Sequence, residues 1–118
     1  MFRYIEGMHT FTLEESALAS EADALDLMGQ LYGQEVDLIV LPVERLDPGF
    51  FDLRTGIAGA VTQKLLNYGF RLAIVGDIDR FTSGSAALAA YVRESNRGRQ
   101  VWFVPDVDAL GTRLRTAA

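Results

Sequence analysis

Three short apolar runs, separated by segments of helical spacing, constrain this chain most. They are Val36-Asp37-Leu38-Ile39-Val40-Leu41, Arg71-Leu72-Ala73-Ile74-Val75 and Gln100-Val101-Trp102-Phe103-Val104. A strand that is apolar at nearly every position has no face to offer to water, so both of its sides must be covered. Between the runs the period changes. Ala24, Leu25, Met28, Leu31 and Tyr32 follow Ser20, with acids in the first turn, and Gly33 closes that helix. Ile57, Ala58, Val61, Leu65 and Leu66 form a second amphipathic pattern that stops at Gly69. Leu88, Ala89, Tyr91 and Val92 form a third, ending near Arg97-Gly98, and Pro105-Asp106 opens a last short helix with Leu110 and Leu114. Residues 2–6 and 8–13 are two further β-like runs around Gly7, as a hairpin or one bent strand. Strands alternating with helices imply right-handed crossovers and a largely parallel sheet. The expectation is one α/β domain over residues 1–118, a mostly parallel central sheet of four to five strands with about four helices.

Composition narrows the chemistry. The 118 residues include no Cys, which excludes disulfides, a thiol nucleophile, Fe–S clusters and cysteine zinc sites. One histidine, His9, excludes a multi-histidine metal centre within one chain. The net charge of −5 argues against general nucleic-acid binding. That charge is unevenly spread, with a net of −8 over residues 1–59 and +3 over residues 60–118. No apolar run is long enough for a signal peptide or a bilayer span, so the expectation is a cytoplasmic protein with no membrane partner. Nothing in the residues calls for a metal, a cofactor or a catalytic group.

In a parallel α/β sheet the loops after the strands converge on one edge, the usual ligand edge. Here those loops carry Glu44, Arg45 and Asp47, then Asp77, Asp79 and Arg80, then Asp106 and Asp108. Such a set suits a polar ligand or a cation, or simply caps and solvated loop charges. Ser83-Gly84-Ser85 offers hydroxyls and backbone N–H groups for an anion, but no Lys follows, and capping is the ordinary role. Arg93, Arg97 and Arg99 read as complements of a helix C-terminus and turn residues.

Two segments carry a resemblance. Phe50-Phe51-Asp52-Leu53-Arg54-Thr55-Gly56-Ile57-Ala58-Gly59 lies between a core strand and a helix, and Asn67-Tyr68-Gly69-Phe70-Arg71-Leu72-Ala73-Ile74-Val75-Gly76 follows. Together they are similar to the STAS domain family, the anti-sigma-factor-antagonist-like fold. The resemblance implies a layered STAS-like sandwich and a protein-interaction role. In regulatory members the hydroxyl residue just before the Gly is phosphorylated by a partner kinase, and Thr55 stands there. Asp52 lies three positions before it rather than the family's two. The whole chain is also similar to a bacterial family known as a domain of unknown function (family 4180). The runs Pro42-Val43-Glu44-Arg45-Leu46, Phe51-Asp52-Leu53-Arg54-Thr55-Gly56 and Arg93-Glu94-Ser95-Asn96-Arg97-Gly98-Arg99-Gln100 carry that likeness.

The leading expectation is a non-enzymatic regulatory domain that docks a protein partner, or a second copy of itself, and is switched at Thr55. Its surface would include Glu44, Arg45, Asp52, Arg54, Asp77, Ser83 and Ser85. The alternative is a small-molecule or anion binder, or a weak enzyme, using Glu44, Arg54, Asp77 and Ser83. A deep pocket lined by those charges favours the second reading; a shallow edge with Thr55 exposed favours the first.

Overall fold

In the computed structural model, which describes residues 1–116, five strands form one sheet in the order β1-β2-β3-β4-β5. They are β1 (Phe2–Ile5), β2 (Met8–Thr12), β3 (Leu38–Pro42), β4 (Arg71–Val75) and β5 (Val101–Val104). The first two form the hairpin, paired antiparallel from Phe2 opposite Phe11 to Ile5 opposite Met8. Glu6 and Gly7 make its two-residue turn, both with positive φ (47° and 82°), as a right-twisted ribbon favours. Every later pairing is parallel.

The helices are α1 (Glu21–Leu31), α2 (Ile57–Asn67), α3 (Asp79–Thr82), α4 (Ala86–Arg97) and α5 (Val107–Thr116). That is one more than the expected four. The addition, α3, is a single turn, too short to show any apolar period. Three 3-10 turns, Val43–Arg45, Pro48–Phe51 and Leu53–Thr55, fill the path from β3 to α2. The second helix begins at Ile57, because Gly56 sits in the left-handed region (φ 74°) and breaks the helical path from Thr55.

The two faces of the sheet are covered unequally. Phe11, Ile39, Leu41, Leu72, Ile74 and Phe103 project to one side, into a core shared with α1, α2 and α4. Leu38, Val40, Ala73, Trp102 and Val104 project to the other, where Leu110 and Leu114 of α5 meet them. Trp102 and Phe103 thus point to opposite faces, as neighbours on a strand must. Trp102 is 2% exposed, and its indole N–H donates to the Gly98 carbonyl at 2.8 Å. The guanidinium groups of Arg71 and Arg113 lie over its ring, 4.8 and 4.5 Å from the centroid. Burial pulls both guanidinium pKa values down, against which each cation gains the ring face.

At Phe103 the outer edge of β5 is covered by a side chain. The Asn96 amide, from α4, accepts from the Phe103 N–H at 2.8 Å and donates to the Phe103 carbonyl at 3.2 Å. It fills the place where another strand would bond. No helix among the described residues is long and apolar enough to cross a membrane.

Gly76 follows β4 with φ 141°, and a Cβ there would come within 2.8 Å of the Val43 side chain. Both the conformation and the space demand glycine. Gly76→Ala should therefore lower unfolding free energy by about 1–3 kcal/mol, read as a fall in urea midpoint at constant slope. An unchanged midpoint would mean that the β3 and β4 exits do not pack this closely.

Candidate functional site

Because β2 to β5 run the same way, their C-terminal ends share one edge, and the connections leaving it build two distinct features. The first is the double turn between β3 and α2. Asp47 accepts from the Gly49 N–H at 2.8 Å with Pro48 between them, which starts the first turn. Phe50 and Phe51 bury their rings behind it. Asp52 starts the second turn by accepting from the Arg54 N–H at 3.1 Å.

Thr55 closes both turns. Its hydroxyl lies 2.7 Å from the Gly49 carbonyl and 2.9 Å from the Asp52 carbonyl, and it accepts from the Ile57 N–H at 3.2 Å. One proton is shared between two acceptors, and the oxygen serves the first N–H of α2. The residue is nevertheless exposed. Thr55 therefore latches both turns to the start of α2 while remaining at the surface.

Arg54 grips Asp52, Nε to Oδ1 at 3.0 Å and the terminal nitrogen to Oδ2 at 2.9 Å. The guanidinium hydrogen bonds, and then the Arg54 N–H, hold the Asp52 carboxyl below its ordinary pKa, while the same pairing raises Arg54. With the arginine side chain 90% exposed, this pair sits in water and its worth is small.

The second feature is a cleft of about 580 Å³ at the ends of β4 and β5. Asp77 stands on the turn after β4 and Asp79 at the start of α3, Val92 and Arg93 stand on α4, and Phe103 and Pro105 also line it. Asp77 accepts from the Asp79 N–H at 2.9 Å, which fixes the turn. The two features meet through an aromatic stack. Phe51 of the double turn and Phe81 of α3 lie 4.4 Å apart and nearly parallel, at 12°, and the Arg80 guanidinium lies 4.6 Å from the Phe81 ring.

The expected site residues are dispersed over this edge. Glu44 is exposed and Arg45 half-buried on the turn after β3. Asp52, Arg54 and Thr55 are joined within the double turn. Ser85 caps α4 by accepting from the Leu88 N–H at 3.1 Å, and Ser83 is exposed at the end of α3. Asp77 lines the cleft; Glu44, Arg54 and Ser83 do not. Arg93, Thr82 and Phe103 line it and were not among the expected site residues. A signal for Arg93 existed, since Ala89, Val92 and Arg93 share one helical face. No cluster of three or more His, Asp or Glu side chains that could hold a metal occurs among the described residues.

Residues 6–114 match the family model described as Domain of unknown function (DUF4180). No curated protein and no solved structure matches the chain significantly.

Two outcomes test this geometry. Thr55→Val keeps the shape but removes the hydroxyl, and should cost about 1 kcal/mol in urea unfolding, with Thr55→Ser recovering most of it. Equal stability of wild type and Thr55→Val would remove the latch. Arg54→Met should raise the Asp52 titration towards its ordinary range, followed by carboxyl NMR. Because the folded pKa is the lowered one, the pair favours the folded turn at neutral pH and is lost as pH falls through that pKa.

Proposed function

We propose that this chain, which belongs to the DUF4180 family, is a non-enzymatic regulatory domain of STAS-like type that docks a protein partner and is switched by phosphorylation at Thr55. The observation that carries the reading is the Thr55 latch. An exposed hydroxyl holds two consecutive turns and the start of α2, at the edge where the strand exits gather. The likeness of segments 50–59 and 67–76 to the STAS pattern supports the same reading, as does the strand–helix alternation.

The physical consequence of modification is specific. In-line transfer of the γ-phosphoryl group of a nucleoside triphosphate, bound by the partner kinase, forms a P–O bond to the Thr55 oxygen. It breaks the bond to the β–γ bridging oxygen to release the nucleoside diphosphate, and gives the hydroxyl proton to the kinase's base or to water. The Gly49 carbonyl then loses its donor and instead faces an anion carrying about −1.5 to −2 charge. The double turn must open on that side. The Ile57 N–H, already on the Thr55 oxygen, and the Arg54 guanidinium of the adjacent residue could receive the new charge. Glu44, Arg45, Asp52 and Arg54 lie on or beside the segment that would move. Asp77, Ser83 and Ser85 lie across the Phe51–Phe81 contact. A partner reading this edge would distinguish the two forms by shape as well as by charge. Such a partner, kinase included, would carry a basic rather than an acidic face, given the net −8 of residues 1–59.

The test is phosphosite mapping on the protein recovered from its own cells, with Thr55→Ala expressed in parallel. The expected result is phosphate on Thr55 in wild type and its loss in the variant. Phosphate confined to other residues, or none under growth, starvation and stress, would overturn the switch.

A further inference from the structure

We infer that the cleft at the ends of β4 and β5 binds a small zwitterion with an apolar body, the chemistry of a free apolar α-amino acid. Its volume of about 580 Å³ suits a small molecule rather than a protein segment. Ala89, Val92 and Phe103 supply apolar lining. Charges of opposite sign stand on different elements around it, Asp77 on the turn after β4, Asp79 at the start of α3 and Arg93 on α4.

The state of these charges is the decisive point. Some charged side chains elsewhere close on one another. Arg97 pairs with Glu94 at 2.7 Å on the same helix, Lys64 with Glu21 at 2.9 Å and Arg115 with Glu6 at 2.6 Å. Among the described residues, Arg93 and Asp79 form no ion pair, and Asp77 uses one carboxylate oxygen on the Asp79 N–H. The charged groups lining the cleft thus form no ion pair with one another and stay available to a ligand.

A ligand anion without a cation would face two carboxylates. A cation without an anion would leave the Arg93 guanidinium unmatched. A molecule carrying both satisfies each wall, its carboxylate taken by the guanidinium fork and its ammonium by the aspartates. An apolar body then covers Phe103 and Val92 and excludes water from those contacts. This inference stands independently of phosphorylation at Thr55.

The experiment is a backbone and methyl NMR titration of the full chain with leucine and with phenylalanine. Phenethylamine, which lacks the carboxylate, and 3-phenylpropionate, which lacks the ammonium, serve as truncated probes. The expected result is saturable shifts at Gly76, Thr82, Ala89 and Val92 with at least one amino acid, and affinity weaker by about tenfold or more for both truncated probes. Arg93→Ala and Asp79→Asn, both at exposed positions, should each weaken binding by about tenfold while the rest of the spectrum stays in place. Absence of saturable shifts with either amino acid at millimolar concentration would overturn the inference. So would equal affinity for a truncated probe, or binding indifferent to both variants.

Discussion

Adjacent parallel strands taken in sequential order must be joined by crossovers of one hand, and that rule fixes nearly everything else in this molecule. It sends α1, α2 and α4 to the same face of the sheet. The opposite face then has to be closed by whatever follows β5. The chain does so with α5, whose Leu110 and Leu114 lie over Leu38, Val40, Ala73 and Trp102. Trp102 is the largest side chain on that face. It is held by its indole hydrogen bond and by the Arg71 and Arg113 guanidinium groups. The basic excess of the second half is thus partly structural, since two of its arginines serve the packing of an aromatic ring.

The same rule gathers the functional chemistry at one end. Four parallel exits, from β2 to β5, open on a common edge, so loops distant in sequence become neighbours. The double turn after β3 and the turn after β4 touch through Phe51 and Phe81. Polar side chains on this edge mostly serve the backbone. Asp47, Asp52, Asp77 and Ser85 each accept a main-chain N–H two or three residues ahead. Arg93 and Asp79, which line the cleft without an ion pair, are therefore more informative than the number of charges on this edge.

Legibility in the sequence followed the physics. The three apolar runs became β3, β4 and β5, and each helical period became a helix, although α1 buries Ala24, Leu27 and Leu31 while Leu25 and Tyr32 of the expected face are exposed. Those signals are strong because burial on a sheet face or under a helix stripe repeats along the chain. The separate turn of Leu53–Thr55 ahead of α2 was not legible, because it depends on the left-handed backbone of Gly56. The single turn of α3 was too short to have a period. Thr55 was visible as a hydroxyl residue before a glycine, yet its bond to the Gly49 carbonyl arises only once Pro48–Phe51 folds back. Arg93 was visible as a basic residue, but its place at the cleft depends on how α4 docks against β5. Asp52 and Arg54 were read as surface charges, and they are, though bound to each other.

The amide of Asn96 has a consequence for how copies of this molecule can meet. A sheet with two open edges can accept a neighbour on each and grow without limit, as fibrils do. Here the β5 edge is occupied at Phe103 by a side chain that mimics a strand. Among the described residues, no comparable cover lies along the outer side of β1. A strand approaching β5 would have to displace the Asn96 amide from Phe103 before it could pair there. One asparagine thus makes edge-to-edge pairing costlier on that side of the sheet.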